Sequence, residues 1–237
     1  MAGTEARPTF AELASRIDYA YLKVDSQSSV AGLHAAVEFV RERGLRGICV
    51  PPVLAGTVKK NYPDVTVCAA VSYPLGADSL GAKVFAVQEL MEQRIDEVDL
   101  VLDLFALVNN NWGKIEAETS RLGELCQRAG VFLKVIIETP ILNDEQIRSA
   151  VGILRSGPVD CVKTSTGYAR SATSLAHVKL ISDCCAERTA ETSRGGALYI
   201  KAAGGINNLS DAQAMVEAGA DIIGTSSPER ILEERVG

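Results

Sequence analysis

The chain has 237 residues, 47% of them hydrophobic, enough for one large core or two small ones. Its 24 basic and 30 acidic side chains leave a net charge of −6 with no basic cluster, which argues against nucleic acid or an anionic membrane as partner. No apolar stretch nears the roughly 20 residues that span a bilayer, and the first segment mixes charge with small residues, so a cytoplasmic protein is expected.

Residues 1–15 read as an N-terminal helical extension. Short apolar runs then alternate with helix-period segments, giving candidate strands at 17–22, 46–50, 65–71, 97–102, 132–138, 160–164, 199–202 and 221–224. After the first strand, Val30, Leu33, Val37 and Val40 recur at helical spacing, and after the third Leu80, Val84, Val87 and Met91 do the same. Gly44, Gly130 and Gly219 stand where a helix should end in the left-handed conformation and feed a strand. Ser210 and Gln213 read as a capping box opening the next helix. Eight strand–helix repeats predict one domain over 1–237, a (β/α)8 TIM barrel, with a doubly wound open sheet as the rival arrangement.

A barrel gathers its chemistry at the C-terminal ends of its strands. The unusual polar residues fall there: Asp18 and Lys23, Asp99 and Asp103, Lys134 and Glu138, Lys163, Lys201, Ser226 and Ser227. Lys163 in CVKTSTGY and Lys201 in YIKAAGGI each end an apolar run. Two buried ammonium groups on successive strands repel, so one should lose its proton near neutral pH and become a nucleophile toward a carbonyl. Asp99 beside them completes a titratable cluster next to glycine-rich turns, the pattern of a functional site. Lys134 and Glu138 share a strand face, and there a structural salt bridge at the barrel mouth and a functional role stand level. Three small-residue turns, at 165–167, 203–206 and 224–227, predict a phosphate site. Gly204 and Gly205 would let backbone N–H groups approach an anion, and Ser226 and Ser227 would add donors. Cys49, Cys68, Cys126, Cys161, Cys184 and Cys185 lack zinc-like spacing, and His34 and His177 lie far apart, so no metal site is expected. Cys184 and Cys185 read as surface thiols on a helix rather than a vicinal disulfide.

The segments GICVPP, DEVDLV, LKVIIET, VKTSTGY, KAAGGI and GTSS, in that order, resemble the deoxyribose-phosphate aldolase family. The resemblance runs from about Ile17 to Ser227, and KTSTG followed by K-x-x-GG is its specific part. It implies a (β/α)8 barrel that cleaves 2-deoxy-D-ribose 5-phosphate reversibly to acetaldehyde and D-glyceraldehyde 3-phosphate, without metal or organic cofactor. By motif, Lys163 resembles the Schiff-base lysine, Lys201 the second lysine that lowers the amine pKa, and Asp99 the carboxylate of the proton relay. Asp18 matches an acidic position in the first strand; Gly167, Gly204, Gly205, Ser226 and Ser227 resemble the phosphate-binding positions. The family also implies a homodimer or homotetramer acting on phosphosugars and aldehydes.

The chain departs from the pattern at Tyr19 and Ala20, where His and Thr are frequent, at Phe105, where a small residue is common, and at Asn207, where many members have Arg. Arg170 offers a nearby cation. Two other readings follow: a related class I aldolase with another phosphosugar or aldehyde, and a non-catalytic barrel that binds a sugar phosphate.

Overall fold

The computed structural model describes residues 9–24, 29–186 and 197–233. Eight parallel strands pair in chain order and close on themselves: β1 (Ile17–Ala20), β2 (Gly47–Val50), β3 (Val67–Val71), β4 (Glu97–Val101), β5 (Phe132–Ile136), β6 (Cys161–Lys163), β7 (Tyr199–Ala203) and β8 (Ile222–Thr225). The barrel is therefore closed, and the open sheet is excluded. Each expected strand is present: the first six are shorter by one or two residues, β7 is one residue longer and β8 is shifted by one. Helix α1 (Phe10–Ala14) precedes β1, so part of the expected N-terminal extension is helical, while residues 1–8 lie outside the described residues. The others are α2 (Val30–Arg43), α3 (Pro52–Asn61), α4 (Leu80–Glu92), α5 (Leu104–Val108), α6 (Trp112–Ala129), α7 (Asp144–Ser156), α8 (Leu175–Ala186), α9 (Leu209–Glu217) and α10 (Pro228–Glu233).

Strand alternation divides the molecule into two environments. Ile48, Val50, Val67, Val98, Leu100, Leu133, Val135, Val162, Ile200 and Ile223 join the large core with the helices. Their neighbours in sequence form the barrel interior, where Cys49, Cys68 and Ala70 make a small apolar wall on β2 and β3. Burying each Val, Leu or Ile contributes about 1.5–3 kcal/mol, so the helix-facing side supplies the stability and frees the interior for charge.

The helices end as their sequences require. Gly44 and Gly130 adopt left-handed conformation at φ 63° and 69° and close α2 and α6. Two helix readings need correction. The cap of α9 is Asn208, whose side chain accepts from the Asp211 N–H, not Ser210, which lies inside the helix. In α4 Val87 is buried and Val84 and Met91 pack half-buried against the core as expected, but Leu80 is exposed, and Lys83 and Leu90 complete the buried stripe. Lys83 is buried because its ammonium donates to Val101 C=O at 2.9 Å and pairs with Glu118. Among the described residues no helix is long and apolar enough to cross a membrane.

All six cysteines are free. Both Cys184 and Cys185 sit on α8 as expected, but Cys184 is buried rather than at the surface.

Candidate active site

Lys163 of β6 and Lys201 of β7 are register partners, so the ladder itself sets the two side chains side by side. Beneath them lies Asp99 of β4. Its Oδ2 accepts from Lys163 Nζ at 2.6 Å and from Lys201 Nζ at 3.0 Å. Its Oδ1 accepts from Lys134 Nζ at 2.8 Å, and Lys134 is the register partner of Asp99 on β5.

A second carboxylate layer supports the first. Lys134 pairs with Glu97 at 2.6 Å, and Lys201 donates to Asp18 Oδ2 at 2.6 Å. Arg46, just before β2, donates to Asp18 Oδ1 at 2.8 Å and forks onto Glu97. Every member except Arg46 is buried. Leaving Lys163 aside, three acids (Asp18, Glu97, Asp99) face three bases (Arg46, Lys134, Lys201), and the network balances.

Burial alone would raise the Asp99 pKa, but Lys134, Lys163 and Lys201 together hold it well below the ordinary carboxylate value. Asp18 behaves likewise: burial pushes it up, and Lys201, Lys134 and Arg46 more than reverse that. For Lys201, burial favours the neutral amine, yet Asp18 and Asp99 outweigh it and the pKa rises. Lys201 is thus a fixed positive charge in the barrel.

These shifts set an expected pH profile for stability. Asp18 and Asp99 are lowered in the fold, so their contribution is complete above the unfolded carboxylate value near 4 and is lost as pH falls below it. Lys201 is raised, so its contribution is complete below the unfolded lysine value near 10.4 and is lost at higher pH. The urea midpoint is expected to be flat between about pH 5 and pH 9 and to drop on both sides. A midpoint unchanged down to pH 3 would be incompatible with these buried anions.

Above the lysines opens a cleft bordered by Ala20, Lys23, Tyr73, Thr166, Gly167, Gly204, Gly205, Asn207 and Ser226, with Lys163 and Lys201 at its floor. The loops after β6 and β7 touch here. A Cβ on Gly204, at φ 100°, would lie 3.0 Å from Ser165 Oγ, and Thr164 Oγ1 donates to Ala203 C=O at 3.1 Å. On β8, a Cβ on Gly224 would come within 2.9 Å of Ala203 Cβ and 3.1 Å of Lys201 Cε, so glycine there makes room for the lysine. A wider surface groove bordered by Glu38, Arg41, Arg46 and Asp64 lies at the other end of the strands, where Arg41 pairs with Glu38 and Asp64. Among the described residues no lysine or cysteine borders it.

Of the expected site residues, Lys163, Lys201, Gly167, Gly204, Gly205 and Ser226 border the cleft, and Asp99 and Asp18 lie under its floor. Ser227 does not border it; its N–H donates to Thr225 Oγ1 at 3.1 Å at the start of α10. Arg170 is exposed outside the cleft, and Phe105 is 69% exposed on α5. Tyr19 points outward against Phe39, so of the two first-strand departures only Ala20 bears on the cleft. Lys134 and Glu138 do not pair. Lys134 belongs to the Asp99 network, whereas Glu138 lies past the end of β5 and accepts from Ser165 Oγ at 2.5 Å. Asp103 caps α5 by accepting from the Ala106 N–H at 2.9 Å.

Sequence reasoning missed Arg46, Glu97 and Tyr73, and took Gly224 only as part of a phosphate turn. Glu97 had a signal, since it shares the face of Asp99 by the two-residue period. Arg46 had none, because its partners Asp18 and Glu97 stand on β1 and β4, strands that do not pair and meet only across the closed barrel. Cys49, Cys68 and Asp99 bring ligand atoms within 4.8 Å of one another. Both Asp99 oxygens already accept from ammonium groups, so the local field opposes a cation there.

No protein-family model matches the chain. A deoxyribose-phosphate aldolase of Micrococcus luteus is 34% identical over 232 residues, covering 94% of this chain and 96% of the relative. One from Aquifex aeolicus is 36% identical over 203 residues, covering 83% and 86%. The tetrameric deoxyribose phosphate aldolase structure from Aeropyrum pernix superposes with a TM-score of 0.83 at 29% identity, covering 95% of this chain and 91% of that one. Sequence likeness over nearly the whole length thus accompanies the closed barrel and its paired lysines, and the chain belongs to the deoxyribose-phosphate aldolase family.

Proposed function

We propose that the protein cleaves 2-deoxy-D-ribose 5-phosphate reversibly to acetaldehyde and D-glyceraldehyde 3-phosphate, through a Schiff base on Lys163. The observation that carries this reading is the placement of two register-paired lysines over one buried carboxylate at the floor of a cleft. The surrounding acids and bases balance without Lys163, which leaves its amine as the group free to serve as the nucleophile toward a carbonyl.

Lys163 Nζ adds to C1 of the open-chain sugar, and loss of water leaves an iminium that serves as electron sink. A base takes the proton of the 3-hydroxyl as the C2–C3 bond breaks, which releases the phosphorylated aldehyde and leaves an enamine. Protonation of the enamine carbon and hydrolysis then release acetaldehyde and regenerate Lys163. Asp99, 2.6 Å from the Lys163 nitrogen, and Lys201, 3.0 Å from Asp99, move these protons directly or through one water. Asp18 holds Lys201 in place. The iminium supplies the electron sink, so the route calls for no metal or organic cofactor.

Gly167, Gly204, Gly205 and Ser226 are the natural seat for the 5-phosphate, with Lys23 as a cation on the rim. Asn207 favours a second reading, an aldolase that prefers another phosphosugar or an unphosphorylated aldehyde. Its amide donates to Gly205 C=O at 3.2 Å, within its own loop, and lacks the charge of a guanidinium. Homo-oligomerisation belongs to the same reading and is supported by the tetrameric relative.

Borohydride reduction in the presence of acetaldehyde, followed by peptide mapping, tests the proposal. An ethyl group on Lys163 is expected. Absence of any lysine adduct, or its placement on Lys201, would overturn the assignment. Comparing kcat/KM for deoxyribose with and without its 5-phosphate separates the two substrate readings.

A further inference from the structure

The turn after Lys163 is held by residues to which the reaction above gives no part. Lys163 itself is fixed by the barrel, since its strand pairs with β5 on one side and β7 on the other. Ser165, Thr166 and Gly167 lie beyond that ladder, and two side chains from other loops secure them. Glu138 Oε1 accepts from Ser165 Oγ at 2.5 Å, and its Oε2 accepts from the Thr166 N–H at 3.0 Å. On the other side of the same residue, the Tyr73 O–H donates to Thr166 C=O at 2.7 Å. Ser165 Oγ in turn accepts from the Gly167 N–H at 3.0 Å, which sets the glycine at φ 83° on the wall of the cleft.

The backbone at Glu138 is bent to make this possible. It is a non-glycine residue in the left-handed region, at φ 55° and ψ 59°. Such strain persists only where surrounding contacts over-determine it. Here the Ile137 N–H donates to Lys163 C=O at 3.1 Å and the Thr139 N–H to Thr164 C=O at 2.7 Å, bracketing the bend from both sides. The result is a buried carboxylate aimed under the turn. Burial raises the Tyr73 pKa, so its hydroxyl stays a donor.

We infer that Glu138 and Tyr73 are positioning residues, which clamp the two peptide groups of Thr166 and so preset the 165–167 turn for the phosphorylated end of the substrate. The inference rests on the aldolase reading and deepens it. The clamp acts on the turn and leaves Lys163 to the barrel, so its loss should divide the reaction in two.

The experiment measures KM for 2-deoxyribose 5-phosphate and, separately, the rate at which acetaldehyde and borohydride label Lys163. Glu138→Ala is expected to raise KM about tenfold or more, the scale for hydrogen bonds to a charged group, with labelling within about twofold of normal. Glu138→Gln, which keeps one acceptor for the Thr166 N–H, should recover most of that loss. Glu138→Gly relieves the backbone strain but removes the carboxylate, and should behave like the alanine variant. Tyr73→Phe should raise KM in the same direction. Equal losses in KM and labelling would mean a merely structural role and overturn the inference, as would an unchanged KM in Glu138→Ala. Failure of the underlying Schiff-base reading is seen separately, as no Lys163 adduct in the unaltered protein.

Discussion

Replacement of Lys163 by methionine is expected to lower aldolase turnover on the order of 10^4-fold or more while leaving the fold intact. Methionine matches the lysine stem in length and apolar character, so the cleft floor keeps its packing. What disappears is the amine proposed to form the iminium, and Lys201 cannot take over because Asp18 and Asp99 hold it as a charged donor. The fold should tolerate the change for an electrostatic reason. Asp99 loses one partner at 2.6 Å but keeps Lys134 at 2.8 Å and Lys201 at 3.0 Å, so no buried charge is left alone. Lys163→Arg makes the contrast. Guanidinium is always charged, which adds a permanent cation to a network that already balances. Methionine should therefore give an inactive protein of nearly normal thermal midpoint, and arginine an inactive and less stable one. More than about one per cent of normal turnover in the methionine variant would remove Lys163 from the mechanism.

How much of this was visible in the sequence depends on which dimension a residue acts along. Within one strand, the two-residue period assigns faces, so Asp99, Lys134, Lys163 and Lys201 could be pointed inward from their neighbours alone. Between adjacent strands, similar motif positions put Lys163 and Lys201 together, and the register bears that out. Across the barrel the sequence says little. The stagger of the strands decides which inward residues share a level, and it is fixed only on closure. Arg46 reaches both Asp18 on β1 and Glu97 on β4 across that gap. Glu138 looked like a partner for Lys134, but the left-handed bend after β5 turns it toward the β6 loop instead. Periodicity had no means to show a bend. Asn208 and Ser210 teach the same point at smaller scale, since both can cap a helix and only the path of the preceding loop decides.

Asp99→Asn is expected to cost at least about 100-fold in kcat/KM, the usual scale for an acid–base group, and also to destabilise the protein. The amide keeps the shape of the carboxylate but not the charge that Lys134, Lys163 and Lys201 share. Three bases would then face two acids in a buried site, and breaking a buried pair costs about 3–5 kcal/mol. Lys201→Leu should slow the reaction comparably, because the same proton path loses its other end. It leaves the opposite imbalance, with Asp18 still paired to Arg46 at 2.8 Å. The double variant tells function from architecture. If Asp99 and Lys201 act on one path, Asp99→Asn with Lys201→Leu should be little slower than either single change. Its stability should lie above that of Asp99→Asn, because two acids again face two bases. Additive losses in rate would assign the two residues to separate steps. A double variant less stable than both singles would show that charge balance does not organise the barrel interior.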